Sequence, residues 1–225
     1  MDKKHQKGHR ERLRQRFISA GPGALHDYEI IELLLTYAIP LKDVKPIAKD
    51  LMGRFRNFQG VLDASYDELC ELKGVSSNSA ALICLIREIC SEYLAEKMKE
   101  KDALSSPEAV LDFAKMKISG LKDEVFLVIY LDIKNHVIDY EIVNEGTIDH
   151  AMIYPRNIIR KAISFNAAGL IVMHNHPSGI CEPSKDDIKL TGAVREAANT
   201  VNIRIIDHVI VGKSGYFSFV REGLL

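Results

Sequence analysis

The stretch VMHNHPSGICEPSKDDIKL, residues 172–190, carries two histidines one residue apart at the end of an apolar run. That run, AGLIVM at 168–173, is short and bounded by polar residues, which predicts a buried strand. Residues i and i+2 of an extended chain point to the same side, so His174 and His176 are expected to project together where the strand ends. Functional loops gather at such strand ends when helices cover the sheet. This stretch is therefore the first candidate for a functional site.

A helix is predicted directly after the two histidines, over SKDDIKLTGAVREAANT at 184–200. Ser184 takes the N-cap position, and Asp187 lies in the first turn, where its carboxylate can face the strand end. Two neutral imidazoles and one carboxylate form a three-ligand zinc site with its fourth position open to water, which is the catalytic arrangement. The alternatives are that the HxH pair binds nothing and that Ser184 with Asp187 is close to a capping box, which needs no metal.

The HxH pair followed at this distance by Ser184 and Asp187 is a more specific pattern than either pair alone. His174-x-His176, seven residues, Ser184, two residues and Asp187 resembles the signature of the JAMM (MPN+) metalloproteases. Further segments resemble the bacterial RadC family over essentially the whole chain: HNHPSG, PSKDD, YPR at 154–156, Asp207–His208, GHRERLRQRF at 8–17 and DVKPIAKDLM at 43–52. The resemblance implies that His174, His176 and Asp187 ligate Zn2+, that the zinc activates water in the open position, and that Ser184 supports the oxyanion.

The same resemblance implies a glutamate, at the start of an early strand, that takes the proton from the water. The segment EVFLVIYLD at 124–132 predicts a strand and begins with Glu124. Glu145, in a predicted loop, is the competing candidate. Asp207 and His208 either orient a ligand imidazole from outside the site or form a buried pair.

The periodicity of apolar residues differs between the first and second halves of the chain. The first half predicts helices, because apolar residues recur at three- to four-residue spacing in HRERLRQRFISA, DYEIIELLLTYAI, VKPIAKDLMGRF and SAALICLIREICSEYLAEKMK. Four residues suit the buried face of the second of these helices: Ile30, Leu33, Leu34 and Tyr37. The tract 96–107 turns to charged residues, serine and proline, so we expect a helical domain over 1–102 and a metal-binding domain over 103–225.

The second half predicts an alternation of strands and helices. Its order is strand, strand, helix, strand, helix, strand, strand, with a tight turn at Lys134 and Asn135 between the first two strands. This order predicts a mixed sheet with helices packed on it, so the fold class is α+β or α/β after an all-helical first domain. The RadC resemblance implies that the second domain is a JAMM/MPN domain, whose fold is similar to that of the cytidine deaminases.

The helical half also contains a candidate contact with DNA. GVLDASYDELCELKGVSSNSAALICLIREI at 60–89 resembles a helix-hairpin-helix, a fold that grips phosphates with backbone N–H groups. Its hairpin reads Lys73, Gly74, Val75, Ser76, with serine in place of the second glycine that would allow close backbone approach. Residues 1–16 are strongly basic, although the whole chain has a net charge of −1. DNA is therefore a candidate partner of this half, beside a protein-interaction or structural role.

Composition and missing signals narrow the remaining possibilities. No apolar run approaches the roughly 18 residues of a membrane span, and the N-terminus lacks the apolar segment of a secretory signal, so we expect a cytoplasmic protein without a membrane partner. The four cysteines match no zinc-finger spacing, and the signature of the zinc deaminases is absent. The resemblance to the RadC family and the JAMM signature implies a zinc-dependent JAMM-type hydrolase that cleaves a peptide or isopeptide bond in a protein or peptide substrate. The alternatives are a DNA-binding, DNA-repair-associated protein and an inactive scaffold of the same fold.

Overall fold

The computed structural model describes residues 3–143, 153–212 and 215–225, with side chains from residue 8 onward. The chain divides into two compact units, Met1–Ile89 and Cys90–Leu225. The division falls inside the helix Ser77–Lys99, because the last turns of that helix bring Ala95 and Met98 into the core of the second unit. The domain limits 1–102 and 103–225 stay predictions, since one continuous helix crosses the division.

The first unit is helical, as the periodicity predicted. Its helices are α1 (Lys3–Ala20), α2 (Asp27–Ala38), α3 (Lys45–Phe55), α4 (Phe58–Asp63), α5 (Tyr66–Cys70) and the first part of α6 (Ser77–Lys99). Apolar side chains from α2 to α6 form its main core, in which Leu35, Leu51, Leu69 and Ile83 are fully buried. Burial of this apolar surface is the principal stabilising contribution to the unit.

Helix α2 is buried on two sides rather than along the single predicted face. Leu33 packs with Leu13 of α1, while Leu35 lies in the cluster shared with α3. The prediction for Tyr37 is wrong, because this side chain is 65% exposed. Helix α2 buries one part of its surface against α1 and another against α3, and Tyr37 lies on neither part. The guanidinium carbon of Arg14 lies 5.9 Å from the centroid of the Tyr37 ring.

The longest helix, α6, spans 23 residues, and charged side chains interrupt its apolar ones. Within the ranges that the structure describes, neither α6 nor any other helix is long and apolar enough to cross a membrane.

The second unit is a mixed sheet covered by helices, which confirms the predicted fold class. Its elements after α6 are α7 (Pro107–Ala114), β1 (Phe126–Leu131), β2 (Val137–Ile142), α8 (Pro155–Ser164), β3 (Gly169–Asn175), α9 (Lys185–Asn199), β4 (Arg204–Val211) and β5 (Tyr216–Ser218). The strand order is β2-β1-β3-β4-β5, in which β3 and β4 are parallel and the other neighbours antiparallel. Asn135 makes the turn between β1 and β2 with a left-handed φ of 64°, a conformation that asparagine tolerates.

The two faces of the sheet bury separate clusters of apolar side chains. Ile129 and Met173 point to the face covered by α7, whereas Val128 and Val172 point to the face covered by α8 and α9. Because side chains alternate along a strand, His174 shares the second face with Val172. The buried end of β3 therefore presents His174 on the side where α9 packs.

Candidate metal centre

The end of strand β3 brings the two histidines together. His174 is 1% exposed and stacks on Phe126, its partner in the β1–β3 register, with 5.9 Å between the ring centroids. His176 follows just beyond the strand, and its Nδ1 lies 2.6 Å from the carbonyl oxygen of Ile180. A carbonyl only accepts, so Nδ1 of His176 carries a proton, and Nε2 is the nitrogen that faces the candidate site. The Nε2 atoms of the two histidines lie 3.0 Å apart.

The start of helix α9 holds Asp187 at the same point. Ser184 is the N-cap: its Oγ accepts from the backbone N–H of Asp187 at 3.1 Å, and its own N–H donates to Oδ2 of Asp187 at 2.7 Å. The carboxylate also lies beside both imidazoles, with Oδ1 3.4 Å from Nε2 of His174 and Oδ2 3.5 Å from Nε2 of His176. The carboxylate of Asp187 therefore completes the capping box and is also a candidate metal ligand, so the two interpretations of Asp187 are compatible.

Antiparallel register brings Glu124 to the site. Phe126 pairs with His174 at the last position of this ladder; Glu124 precedes Phe126 by two residues and His176 follows His174 by two, so both lie just beyond the same end of the paired strands. Asn175 fixes this approach: its Oδ1 accepts from the N–H of Val125 at 2.8 Å, and its Nδ2 donates to the carbonyl oxygen of Asp123 at 3.0 Å. Asn175 thus clamps the segment that carries Glu124, a role the sequence did not indicate.

The four side chains have the donor set of a transition-metal site. Glu124, His174, His176 and Asp187 offer ligand atoms that all lie within 4.8 Å of one another. Two imidazole nitrogens with carboxylate oxygens are a common zinc donor set, although imidazole also suits copper, iron and nickel. The residues present therefore fit a divalent metal ion, and zinc is one that the site would accept.

Of the other residues that the sequence singled out, His208 lies beside the candidate metal centre and Asp207 does not. Glu145 lies outside the described residues. His208 contacts a candidate ligand, with its Nε2 2.8 Å from Nδ1 of His174. Asp207 points elsewhere and accepts from the Oγ of Ser218 at 2.6 Å and from the N–H of Val220. Thr191, which the sequence did not single out, lies 2.5 Å from Nδ1 of His208 through its Oγ1.

Burial and neighbouring charges shift the pKa values around the cluster. Burial lowers the pKa of His174 to about 4 and that of His208 to about 3, so both imidazoles are neutral at pH 7. Burial alone would raise the pKa of Asp187, but the hydrogen bonds from Ser184 and the nearby imidazoles outweigh it and lower the pKa. The pKa of Glu124 is raised, first by burial of its carboxylate and then by Asp187, with His176 acting in the opposite direction.

Both halves of the chain match families of known proteins. Residues 104–224 match the RadC-like JAB domain family, and residues 5–81 match the UPF0758 N-terminal family. A UPF0758 protein of Fusobacterium nucleatum is 40% identical over an alignment of 232 positions that covers 100% of both chains. UPF0758 proteins of Burkholderia cenocepacia and Paraburkholderia phytofirmans are 41% and 38% identical, covering 96% and 93% of this chain and 84% and 81% of their own lengths. None of these three names states an activity.

The lowered histidine pKa values predict a pH-dependent stability for the metal-free second unit. In the unfolded chain a histidine titrates near 6.5, whereas folded His174 and His208 titrate near 4 and 3. Between these values the unfolded state binds more protons, so the free energy of unfolding should decrease as the pH falls from about 6.5 towards 3. Urea unfolding with a chelator present, followed at several pH values, measures this decrease.

The matched variant is His208→Gln, which removes one of the two buried imidazoles, so its free energy of unfolding should fall less steeply as the pH decreases. The raised pKa values of Glu124 and Asp207 oppose the histidine contribution, whereas the lowered pKa values of Asp187 and Asp132 add to it. A free energy of unfolding that stays constant from pH 7 to pH 4 would contradict the burial of neutral imidazoles.

Proposed function

The chain belongs to the RadC-like JAB domain family, and we propose that it is a zinc-dependent hydrolase of the JAMM type that cleaves a peptide or isopeptide bond in a protein or peptide substrate. The observation that carries the proposal is the convergence of two imidazole nitrogens and a carboxylate beside a second carboxylate whose pKa is raised. Three protein ligands leave a coordination position for a reacting molecule, as catalytic zinc sites require.

His174, His176 and Asp187 would hold the zinc through Nε2, Nε2 and the carboxylate. When bound, the zinc would supply Lewis acidity that polarises a carbonyl group and makes water a better nucleophile. His176 would bind the metal through Nε2, because its Nδ1 donates a proton to the carbonyl oxygen of Ile180. Asp187 stays in place because the backbone N–H of Ser184 binds its Oδ2.

Glu124 would move the proton in this reaction. A general base works best when its pKa lies near the working pH, and both burial and the negative charge of Asp187 raise the pKa of Glu124 in that direction. Its carboxylate would accept a proton from the attacking water and deliver it to the departing amine. Glu124 is exposed as a residue, which leaves room for a substrate beside it.

Ser184 would stabilise the oxyanion that develops on the substrate carbonyl. Its Oγ accepts the N–H of Asp187, and its hydrogen, which lies beside the carboxylate of Asp187, would turn to a developing negative charge. Ser184 is exposed and lies at the start of α9, where the helix dipole also favours negative charge.

The test is the substitution Glu124→Gln, which keeps the size of the side chain and removes the proton acceptor. Zinc-loaded wild type should cleave members of an internally quenched peptide library or lysine-branched peptides that carry an isopeptide bond. Glu124→Gln should lower the rate by about 10²- to 10⁴-fold, the usual contribution of a general base, while the zinc content stays the same. Rates from fluorescence and zinc content from elemental analysis are measured on the same preparations.

Two further variants make this test specific. Glu182→Gln removes an exposed carboxylate from the loop between β3 and α9 and should leave the rate unchanged. Glu145→Gln decides the competing assignment: a loss there, with Glu124→Gln fully active, would transfer the role to Glu145. Wild type that binds zinc and cleaves none of these substrates would contradict the peptidase proposal and favour an inactive scaffold.

We propose a second activity for the first unit, the binding of duplex DNA through phosphate contacts. Gly74 turns the chain before α6 with a left-handed φ of 97°, and the Nζ of Lys42 lies only 3.6 Å from the point that a Cβ on Gly74 would occupy. Lys73 is exposed beside it. The N–H of Ser76 is already donated to the Oγ of Ser79, so the lysines rather than this amide would attract phosphate.

Salt-dependent duplex binding tests this second proposal. The double variant Lys42→Ala with Lys73→Ala should weaken binding and reduce the slope of log affinity against log salt by about 2, one for each lost phosphate contact. Fluorescence anisotropy of a labelled duplex measures both quantities. Lys185→Ala with Lys189→Ala removes the same charge from the second unit and should change neither, and equal slopes for the two double variants would contradict DNA binding at the hairpin.

A further inference from the structure

Two buried polar side chains, those of Thr191 and His208, form a continuous series of hydrogen bonds behind His174. The Oγ1 of Thr191 lies 2.6 Å from the backbone carbonyl oxygen of Asp187 and 2.5 Å from Nδ1 of His208. The Nε2 of His208 in turn lies 2.8 Å from Nδ1 of His174. His174 and His208 are each 1% exposed and Thr191 is 6% exposed, so water does not compete for these contacts.

The direction of each hydrogen bond follows from the carbonyl at one end. The carbonyl oxygen of Asp187 has no hydrogen, so the hydroxyl of Thr191 donates its only hydrogen there. Nδ1 of His208 must then carry the proton that joins it to Thr191. A neutral imidazole has one N–H, so Nε2 of His208 accepts, and Nδ1 of His174 must donate to it. The Nε2 of His174 is left with a lone pair, directed at His176 and Asp187.

We propose that Thr191 and His208 are positioning residues that fix the tautomer and ring orientation of His174, so that its Nε2 can bind a metal ion. This inference rests on the metal centre of the proposed function. This series of hydrogen bonds starts and ends at the candidate metal centre, because Thr191 lies one helical turn after Asp187 on α9. The same turn of helix therefore presents one candidate ligand directly and orients another through His208.

The sheet and its aromatic side chains keep His208 in this orientation. His208 lies on β4 opposite Val172 of β3, which places it on the face where His174 projects. Phe219 stacks on the His208 ring with 4.6 Å between centroids, and Phe126 meets it edge-on at 5.6 Å. A ring held between two aromatic side chains cannot turn freely, so the proton on its Nδ1 stays directed at Thr191.

A purely structural role for Thr191 makes a different prediction. Its hydroxyl would then serve only the helix, as the hydroxyl of Thr200 does by donating to the carbonyl oxygen of Ala197 at 2.7 Å. Thr200 sits at the end of the same helix and is exposed, so Thr200→Val is a matched control for Thr191→Val. Thr191→Ser keeps the hydroxyl and loses only a methyl group, which makes it the rescue variant.

The experiment measures zinc affinity by competition with a chromogenic chelator, using the full chain. Thr191→Val should bind zinc about 10- to 100-fold more weakly than wild type, as loss of the partner of a ligand histidine usually does. Thr191→Ser and Thr200→Val should bind with wild-type affinity. An unchanged affinity for Thr191→Val, or a loss in Thr191→Ser equal to that in Thr191→Val, would overturn the proposal.

A second readout needs no metal and separates this proposal from the proposed function. In ¹⁵N nuclear magnetic resonance of the metal-free wild type at neutral pH, His174 and His208 should both carry their proton on Nδ1. Protons on Nε2 of either ring would overturn the proposal, even if Thr191→Val failed to fold. Wild type that shows these tautomers and binds no zinc would instead contradict the metal centre and leave the assignment of the hydrogen-bonded chain standing.

Discussion

The site depends on one helix start, at which the carboxylate of Asp187 is held beside the end of strand β3. The N–H of Ser184 binds this carboxylate at 2.7 Å, and the Oγ of Ser184 binds the N–H of Asp187 in return. Such a reciprocal cap satisfies amide groups that the first turn of a helix would otherwise leave unpaired. The folding of α9 therefore also places a candidate ligand, and it keeps the negative charge of Asp187 next to the imidazoles of His174 and His176.

The rest of the centre is assembled from distant segments by the register of the sheet. Antiparallel pairing of β1 with β3 brings Glu124 to the end of the sheet where His176 follows β3, and hydrogen bonds from the side chain of Asn175 hold the segment before β1. Parallel pairing of β3 with β4 brings His208 behind His174. A shift of either register by one residue would turn these side chains to the other face of the sheet. The chemistry of the site is thus linked to the packing of both apolar clusters.

The sequence predicted those parts of the site that depend on local geometry. The alternation of a strand places His174 and His176 on one side, and helix-start chemistry places Asp187 near Ser184, so short-range rules were sufficient for both. Thr191 and Asn175 could not be found in this way, because their roles depend on partners 17 and 50 residues away. Tyr37 was predicted wrongly for a related reason, since periodicity describes one buried face and α2 packs against two neighbours.

Anomalous X-ray diffraction from zinc-loaded crystals tests most directly whether His174, His176 and Asp187 form one metal site. Data collected on both sides of the zinc absorption edge should show a single strong anomalous peak at about 2.0–2.2 Å from Nε2 of His174, Nε2 of His176 and a carboxylate oxygen of Asp187. Crystals grown with zinc that show no peak among these three side chains, or a peak only elsewhere on the chain, would contradict the account.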